Sequence, residues 1–311
     1  MISAKRRFLW VTFFGGLILI FFTSCEIKKY ERDPTKKLNI VTTTGIIADA
    51  VKNIVKDSAN VHALMGPGVD PHLYKASFGD LEKLTRADII FYNGLHLEGK
   101  MGEVLKKLSR VKPVVAVSEK INKSLLTKTG EDYYDPHIWF DVKLWQKTVI
   151  QMDEALSIYD SLNKGFYHRN ALEYLSKLDD LDKYIRKKIN EIPEQQRVLI
   201  TAHDAFGYFG EAYKIEVRGL QGISTLSEFG LHDVTDLVDF ISERKIKAVF
   251  VETSVSEKAI NAVVQGSKKS GHEVKIGGSL YSDALGEKGT PEGTYIGMVT
   301  KNVNTITKAL K

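Results

Sequence analysis

Cysteine is almost absent from this sequence: Cys25 is the only one in 311 residues, so no disulfide can form within the chain. Proline is sparse as well, seven in all, which gives weight to any proline motif that repeats. The interior carries no run of like charge and no interleaving of cations with aromatics. The net charge of +5 falls to +2 once Lys5, Arg6 and Arg7 are set aside, because no acid precedes Cys25. That balance excludes a nucleic-acid binder. No His-Glu-x-x-His segment occurs, so the usual helical signature of a zinc hydrolase is missing. No apolar run reaches the roughly 18 residues that crossing a membrane requires, since the longest spans residues 8–22.

That apolar run follows Lys5-Arg6-Arg7 and ends in the small polar residues Thr23 and Ser24, the pattern of a signal peptide at 1–24 rather than a retained anchor. The stretch Phe22-Thr23-Ser24-Cys25 resembles a bacterial lipobox, with Phe where Leu is usual. By that resemblance Cys25 becomes the lipidated first residue of the mature chain. Residues 25–37, rich in charge and carrying Pro34, then form a tether to the folded part.

The composition of the remainder, 43% hydrophobic and 27% charged overall, is that of a globular protein too long for one core. From residue 38, short β-branched runs alternate with segments of helical period, which predicts βαβ units and parallel strands at 38–43, 61–65, 88–93 and 114–117. After a charged stretch the pattern restarts with strands at 197–201, 215–220, 248–252 and 273–276. The fold class is therefore α/β, two parallel-sheet lobes at 38–162 and 194–311. Between them Asn163 offers an N-cap, Pro193 a stop, and Ala171, Leu175, Leu178, Leu181, Ile185 and Ile189 recur at steps of three and four. This predicts one long backbone helix across 163–193, about 28 residues and roughly 40 Å, tying the lobes together.

Two of the eight histidines sit in the same tripeptide, Asp70-Pro71-His72 and Asp135-Pro136-His137. Proline fixes its own φ and biases its predecessor to extended geometry, so each tripeptide can aim an imidazole from a loop. His203 follows the strand at 197–201, and Asp283 follows the strand at 273–276 after a turn containing glycine. Ligands of open α/β sheets bind beyond the carboxyl ends of strands, so His72, His137, His203 and Asp283 are expected to meet in the cleft between lobes. Three imidazoles and a carboxylate suit one zinc or manganese ion. Trp139, Phe140, Phe206, Tyr208 and Phe209 flank His137 and His203 and would supply an apolar surround, or ordinary core packing. His62, His96, His168, His232 and His272 lack such context and read as structural or exposed.

At this point the chain resembles the TroA-like metal-binding receptors of ABC importers, the cluster A-I solute-binding proteins. The resemblance runs from residue 38 to the C-terminus. It rests on Gly66-Pro67-Gly68-Val69-Asp70-Pro71-His72-Leu73-Tyr74, Asp135-Pro136-His137-Ile138-Trp139, Thr201-Ala202-His203-Asp204-Ala205-Phe206-Gly207-Tyr208 and Gly277-Gly278-Ser279-Leu280-Tyr281-Ser282-Asp283-Ala284-Leu285-Gly286. Gln221-Gly222-Ile223-Ser224-Thr225 and Phe250-Val251-Glu252-Thr253-Ser254 add to it. The resemblance implies metal ligands at His72, His137, His203 and Asp283. It also implies the backbone-spanning helix and an ABC permease as partner. The expectation is then an extracytoplasmic, lipid-anchored receptor with no enzymatic activity, and docking to a permease suits a monomer. Residues 121–134 lack the His-rich loop usual in zinc-specialised relatives, and His203 stands where many manganese-specialised relatives have Glu, so the metal stays open between zinc and manganese. Two rival readings differ in what they ask of the cleft. A metal-dependent hydrolase needs room for a metal-bound water that four protein ligands would not leave, and a surface adhesin lipoprotein needs no ion in the cleft. Because protonation removes the imidazole lone pair, metal affinity should fall as pH drops through the histidine range of roughly 6.5.

Overall fold

A computed structural model describes residues 36–311; the expected signal peptide, Cys25 and the tether up to residue 35 lie outside the described residues. Strand β1 (Leu38–Thr42) is buried on both faces except at Asn39, as a central parallel strand must be. It pairs with β2 (Ala59–Ala63) on one side and β3 (Ile89–Tyr92) on the other, and β4 (Val114–Ala116) closes the sheet in the order β2-β1-β3-β4, all parallel. The connections are α1 (Gly45–Val55), α2 (Phe78–Arg86) and α3 (Gly102–Leu108). Thr44 caps α1 by accepting from the Ile47 N–H, and Ser77 with Asp80 forms a reciprocal capping box on α2.

After a segment of turns that carries His137 comes α4 (Val142–Tyr159), a helix for which the sequence reading named no element. The long helix follows as α5 (Lys164–Ile189), 26 residues or about 39 Å. Of the expected stripe, Ala171, Leu178, Leu181, Ile185 and Ile189 are buried and Leu175 is half-buried. Its ends differ from expectation. The Asn163 side chain does not cap the helix but donates to Asp160 Oδ2 at 2.8 Å, because a 3-10 turn over Ser161–Asn163 already leads into α5. The helix stops at Ile189, with the turn through Ile192 absorbing the reversal before Pro193.

The second lobe repeats the strand sequence of the first. Its elements are β5 (Val198–His203), α6 (Gly207–Tyr213), β6 (Glu216–Gln221), α7 (Leu231–Arg244), β7 (Ala248–Glu252), α8 (Lys258–Lys269), β8 (Lys275–Leu280) and α9 (Tyr295–Leu310). The strands form two parallel ladders, β5-β6 and β7-β8, with β5 against β7, so the spatial order echoes that of the first lobe. The eighth strand lies later than the expected 273–276 and continues through Gly277-Gly278 with a register shift against β7, where Val249 pairs with Ile276 and Phe250 with Gly278. A Cβ at Gly277 would come within 2.7 Å of the Ala309 Cβ and 2.8 Å of the Phe250 ring, so this glycine serves close packing of α9 on the strand rather than a turn.

One hydrophobic core runs through both lobes, taking in Ile54 of α1, Trp145 of α4, Leu178 and Ile185 of α5, Phe209 of α6 and Ile306 of α9. The start of α9 reaches the first lobe, where Tyr295 Oη donates to Trp139 O at 2.7 Å and its ring packs 5.4 Å from Trp145. The helix α5 is tied to the first lobe by Asn170 donating to Ile54 O at 2.8 Å and to the second by Arg186 donating to Ala212 O at 2.9 Å. This shared core and strut hold the strand ends of both lobes at a common cleft. Among the described residues no helix is long and apolar enough to cross a membrane.

Candidate metal centre

The four residues singled out in the sequence converge. Each of His72, His137, His203 and Asp283 offers one ligand atom, all within 4.8 Å of one another, and all four side chains are buried. His72 lies in the turn beyond β2, and His137 immediately precedes the 3-10 turn over Ile138–Phe140. His203 is the last residue of β5 rather than a residue beyond it, and Asp283 follows the end of β8 by three residues.

The separations are those of donors around a common centre. His72 Nε2 lies 3.3 Å from His137 Nε2 and 3.6 Å from Asp283 Oδ2. His137 Nε2 is 3.5 Å from Asp283 Oδ1, and His203 Nε2 is 3.4 Å from Asp283 Oδ2. A tetrahedron of donors about 2.1 Å from an ion has edges of about 3.4 Å. Among the described residues, His203 Nε2 and both carboxylate oxygens of Asp283 are buried without a hydrogen-bond partner. An ionised carboxylate buried without a hydrogen bond is costly unless positive charge faces it, from a bound cation or from a protonated imidazole.

The electrostatics fit that reading. Burial tends to raise the Asp283 pKa, but the imidazoles of His203, His137 and His72 outweigh it and hold the carboxyl well below its usual range. Burial pushes His72 down to about 4 against the pull of Asp283, which leaves its lone pair free. Burial acts on His203 in the same sense, yet Asp283 and Glu252 together overcome it and keep that imidazole cationic well above its usual value.

Three supporting carboxylates received no role from the sequence. Asp135 Oδ1 lies 2.7 Å from His137 Nδ1 and also accepts the His137 backbone N–H at 2.9 Å, fixing both ring and turn. Asp70 Oδ1 accepts the His72 N–H at 2.8 Å, while Asp70 Oδ2 accepts from Thr225 Oγ1 of the other lobe at 2.6 Å. Glu252 Oε1 accepts the His203 N–H at 2.9 Å, and its Oε2 stands 2.5 Å from His203 Nδ1, an ion-pair contact rather than an aligned hydrogen bond. The repeated Asp two residues before each loop histidine was a legible signal, since such an aspartate closes a turn on the following N–H. Glu252 gave no comparable local signal. Partners of this kind set ring orientation and basicity, so Glu252→Gln is expected to weaken metal binding about 10- to 100-fold while the fold persists, as read by chelator-competition titration.

Trp139, Phe140, Phe206, Tyr208 and Phe209 are all buried as members of the shared hydrophobic core, and Trp139 among them borders the cluster. The Trp139 ring sits 5.2 Å from that of His137, and its indole N–H donates to Ser282 O at 3.0 Å, beside Asp283. Tyr208 Oη donates to Asp135 O at 2.9 Å. The other histidines stay apart from the cluster: His168 pairs with Asp153, His232 with Asp236, and His272 with Ile246 O, while His62 lies on β2 and the His96 ring lies tilted 5.0 Å from that of Tyr133.

Comparison with known proteins agrees in sequence and in fold. Residues 40–309 match the ZnuA family, described as zinc-uptake complex component A, periplasmic. The manganese-binding lipoprotein MntA of Bacillus subtilis is 53% identical over 290 residues, 93% of this chain and 95% of that protein. The zinc-binding protein TroA of Treponema pallidum is 52% identical over 272 residues, 87% of this chain and 88% of that protein. The solved structure of the Treponema pallidum periplasmic zinc-binding protein TroA superposes with a TM-score of 0.87 at 51% identity, covering 88% of this chain and 99% of that one. With a family match over most of its length and TroA-like architecture throughout, the chain belongs to the ZnuA family, among its TroA-like metal-binding receptors.

Proposed function

We propose that this chain is an extracytoplasmic receptor that captures one Mn2+ or Zn2+ on His72, His137, His203 and Asp283 and hands it to an ABC permease. The observation that carries the reading is the Asp283 carboxylate, buried with both oxygens unpartnered and faced by three imidazole nitrogens at 3.4 to 3.6 Å. In this reading residues 38–162 and 194–311 are the lobes and 163–193 the strut. Lipid on Cys25 tethers the receptor, a monomer, to the cell envelope on the extracytoplasmic side, periplasmic or at the cell surface. The relatives' names cite both manganese and zinc, and the three-nitrogen, one-carboxylate set accepts either.

Capture needs no bond-breaking chemistry. His72 and His137 come from one lobe and His203 and Asp283 from the other, so an ion joins the two lobes as it is coordinated. The four side chains are buried, and four protein ligands leave little room for an activated water on the ion, which speaks for a receptor over a hydrolase. A metal that binds only the native state stabilises it by mass action, about 2.7 kcal/mol at a concentration 100 times Kd. The chelator-stripped chain should therefore show a saturable rise in unfolding midpoint at one ion per chain with Mn2+ or Zn2+. No rise with either ion would end the receptor reading.

A further inference from the structure

Above the buried ligands lies a cavity of about 460 Å³, lined by residues of both lobes that include His72, His96, Tyr133, Asp204, Ile223 and Ser227. His72 is thus the ligand that faces this cavity. Two further groups in the lining have metal-binding chemistry and no use in the buried site. His96 is exposed and sits on a turn in which Gly94, Leu95 and His96 adopt φ of +81°, +53° and +65° in succession. Two consecutive non-glycine residues in the left-handed region are strained, and such strain persists where the fold holds a side chain in a required place. The ring of His96 is steadied by Tyr133, 5.0 Å away.

Asp204 approaches from the other lobe, one residue past β5. Its backbone N–H is fixed on Gln221 O at 3.0 Å, and a Cβ at position 219 would come within 2.5 Å of that nitrogen, so Gly219 permits the placement. The half-buried carboxylate itself makes no hydrogen bond or salt bridge among the described residues. An unpaired anion in a cleft concentrates cations and raises their rate of arrival. A carboxylate and an imidazole together can also replace part of the hydration shell that an ion must shed before it reaches a closed site.

We propose that His96 and Asp204, one from each lobe, form an outer loading position where an incoming divalent cation is first held before it passes to His72. This rests on the receptor reading and adds the route by which its buried site is filled and emptied. A group that meets the ion only in transit lowers the barrier in both directions, so its removal slows binding and release together and leaves the equilibrium nearly unchanged.

The test is rapid mixing of the chelator-stripped, detergent-solubilised full chain with Mn2+, and separately Zn2+, read by tryptophan fluorescence, to which Trp139 beside His137 contributes. His96→Gln and Asp204→Asn are each compared with the parent, with unfolding midpoints verifying that both variants fold; the exposed His96 keeps the test open should Asp204→Asn fail to fold. The expected result is an on-rate about three- to tenfold lower in each variant, a matching fall in the off-rate, and Kd within about twofold of the parent. Normal stoichiometric uptake with unchanged on-rates, or a loss of affinity that lies wholly in faster release, overturns the loading position alone. Absence of uptake by the parent overturns the receptor reading and the loading position with it.

Discussion

Asp283→Asn should lower the affinity for Mn2+ and Zn2+ by more than about 100-fold. Loss of a hydrogen-bonding partner behind a ligand costs about 10- to 100-fold, and this change removes a ligand itself together with the only charge that faces all three imidazoles at once. The amide keeps the shape of the carboxylate, so the metal-free fold should survive. Chelator-competition titration gives the affinity, and an unfolding curve in excess chelator separates a lost ligand from a lost fold. His137→Ala should behave in the same sense, since it removes the Nε2 that stands 3.5 Å from Asp283 Oδ1. A folded Asp283→Asn chain that binds as tightly as the parent would place the ion elsewhere.

The second large effect is on pH. In the metal-free cluster Asp283 and Glu252 keep His203 cationic well above its usual pKa, whereas burial holds His72 neutral down to about 4. Coordination requires a neutral His203, so the metal-loaded state binds one proton fewer than the metal-free state. Affinity must then rise with pH, about tenfold per unit, for as long as the pH lies below the His203 value, and level off above it. This extends the dependence expected from ordinary histidines, near 6.5, to higher pH through His203. Titration calorimetry at pH 7 in buffers of different ionisation enthalpy should register about one proton released per ion bound. Affinity independent of pH between 6 and 7.5 would contradict this charge arrangement.

Much of the fold was readable because its signals are local. Both lobes announce themselves by β-branched strands alternating with helices, and α5 by a stripe whose members are buried or half-buried, from Ala171 to Ile189. The four clustered side chains were readable for a related reason, since strand ends in parallel sheets converge. What escaped depended on contacts distant in sequence. Gly277-Gly278 looks like a turn, and only the approach of Ala309 and Phe250 shows that the strand continues through it. Helix α4 was overshadowed by the aromatics that precede it, yet its Gln151 donates to Ala116 O and its Lys143 pairs with Asp179, fastening the first sheet to α5. Glu252 supports His203 across 49 residues, through a strand adjacency that no local pattern encodes. The Asp-Pro-His tripeptides drew attention to their prolines, whereas the hydrogen bonds that orient His72 and His137 come from Asp70 and Asp135.

The most direct test of the central claim is anomalous diffraction from crystals of the chain loaded with one equivalent of Zn2+ or Mn2+, recorded on both sides of the metal's absorption edge. The account predicts a single strong peak per chain, enclosed by the Nε2 atoms of His72, His137 and His203 and the carboxylate of Asp283, with bonds of about 2.0 to 2.2 Å. A peak coordinated by other residues, or no peak at this cluster in a chain that carries one ion, would contradict it.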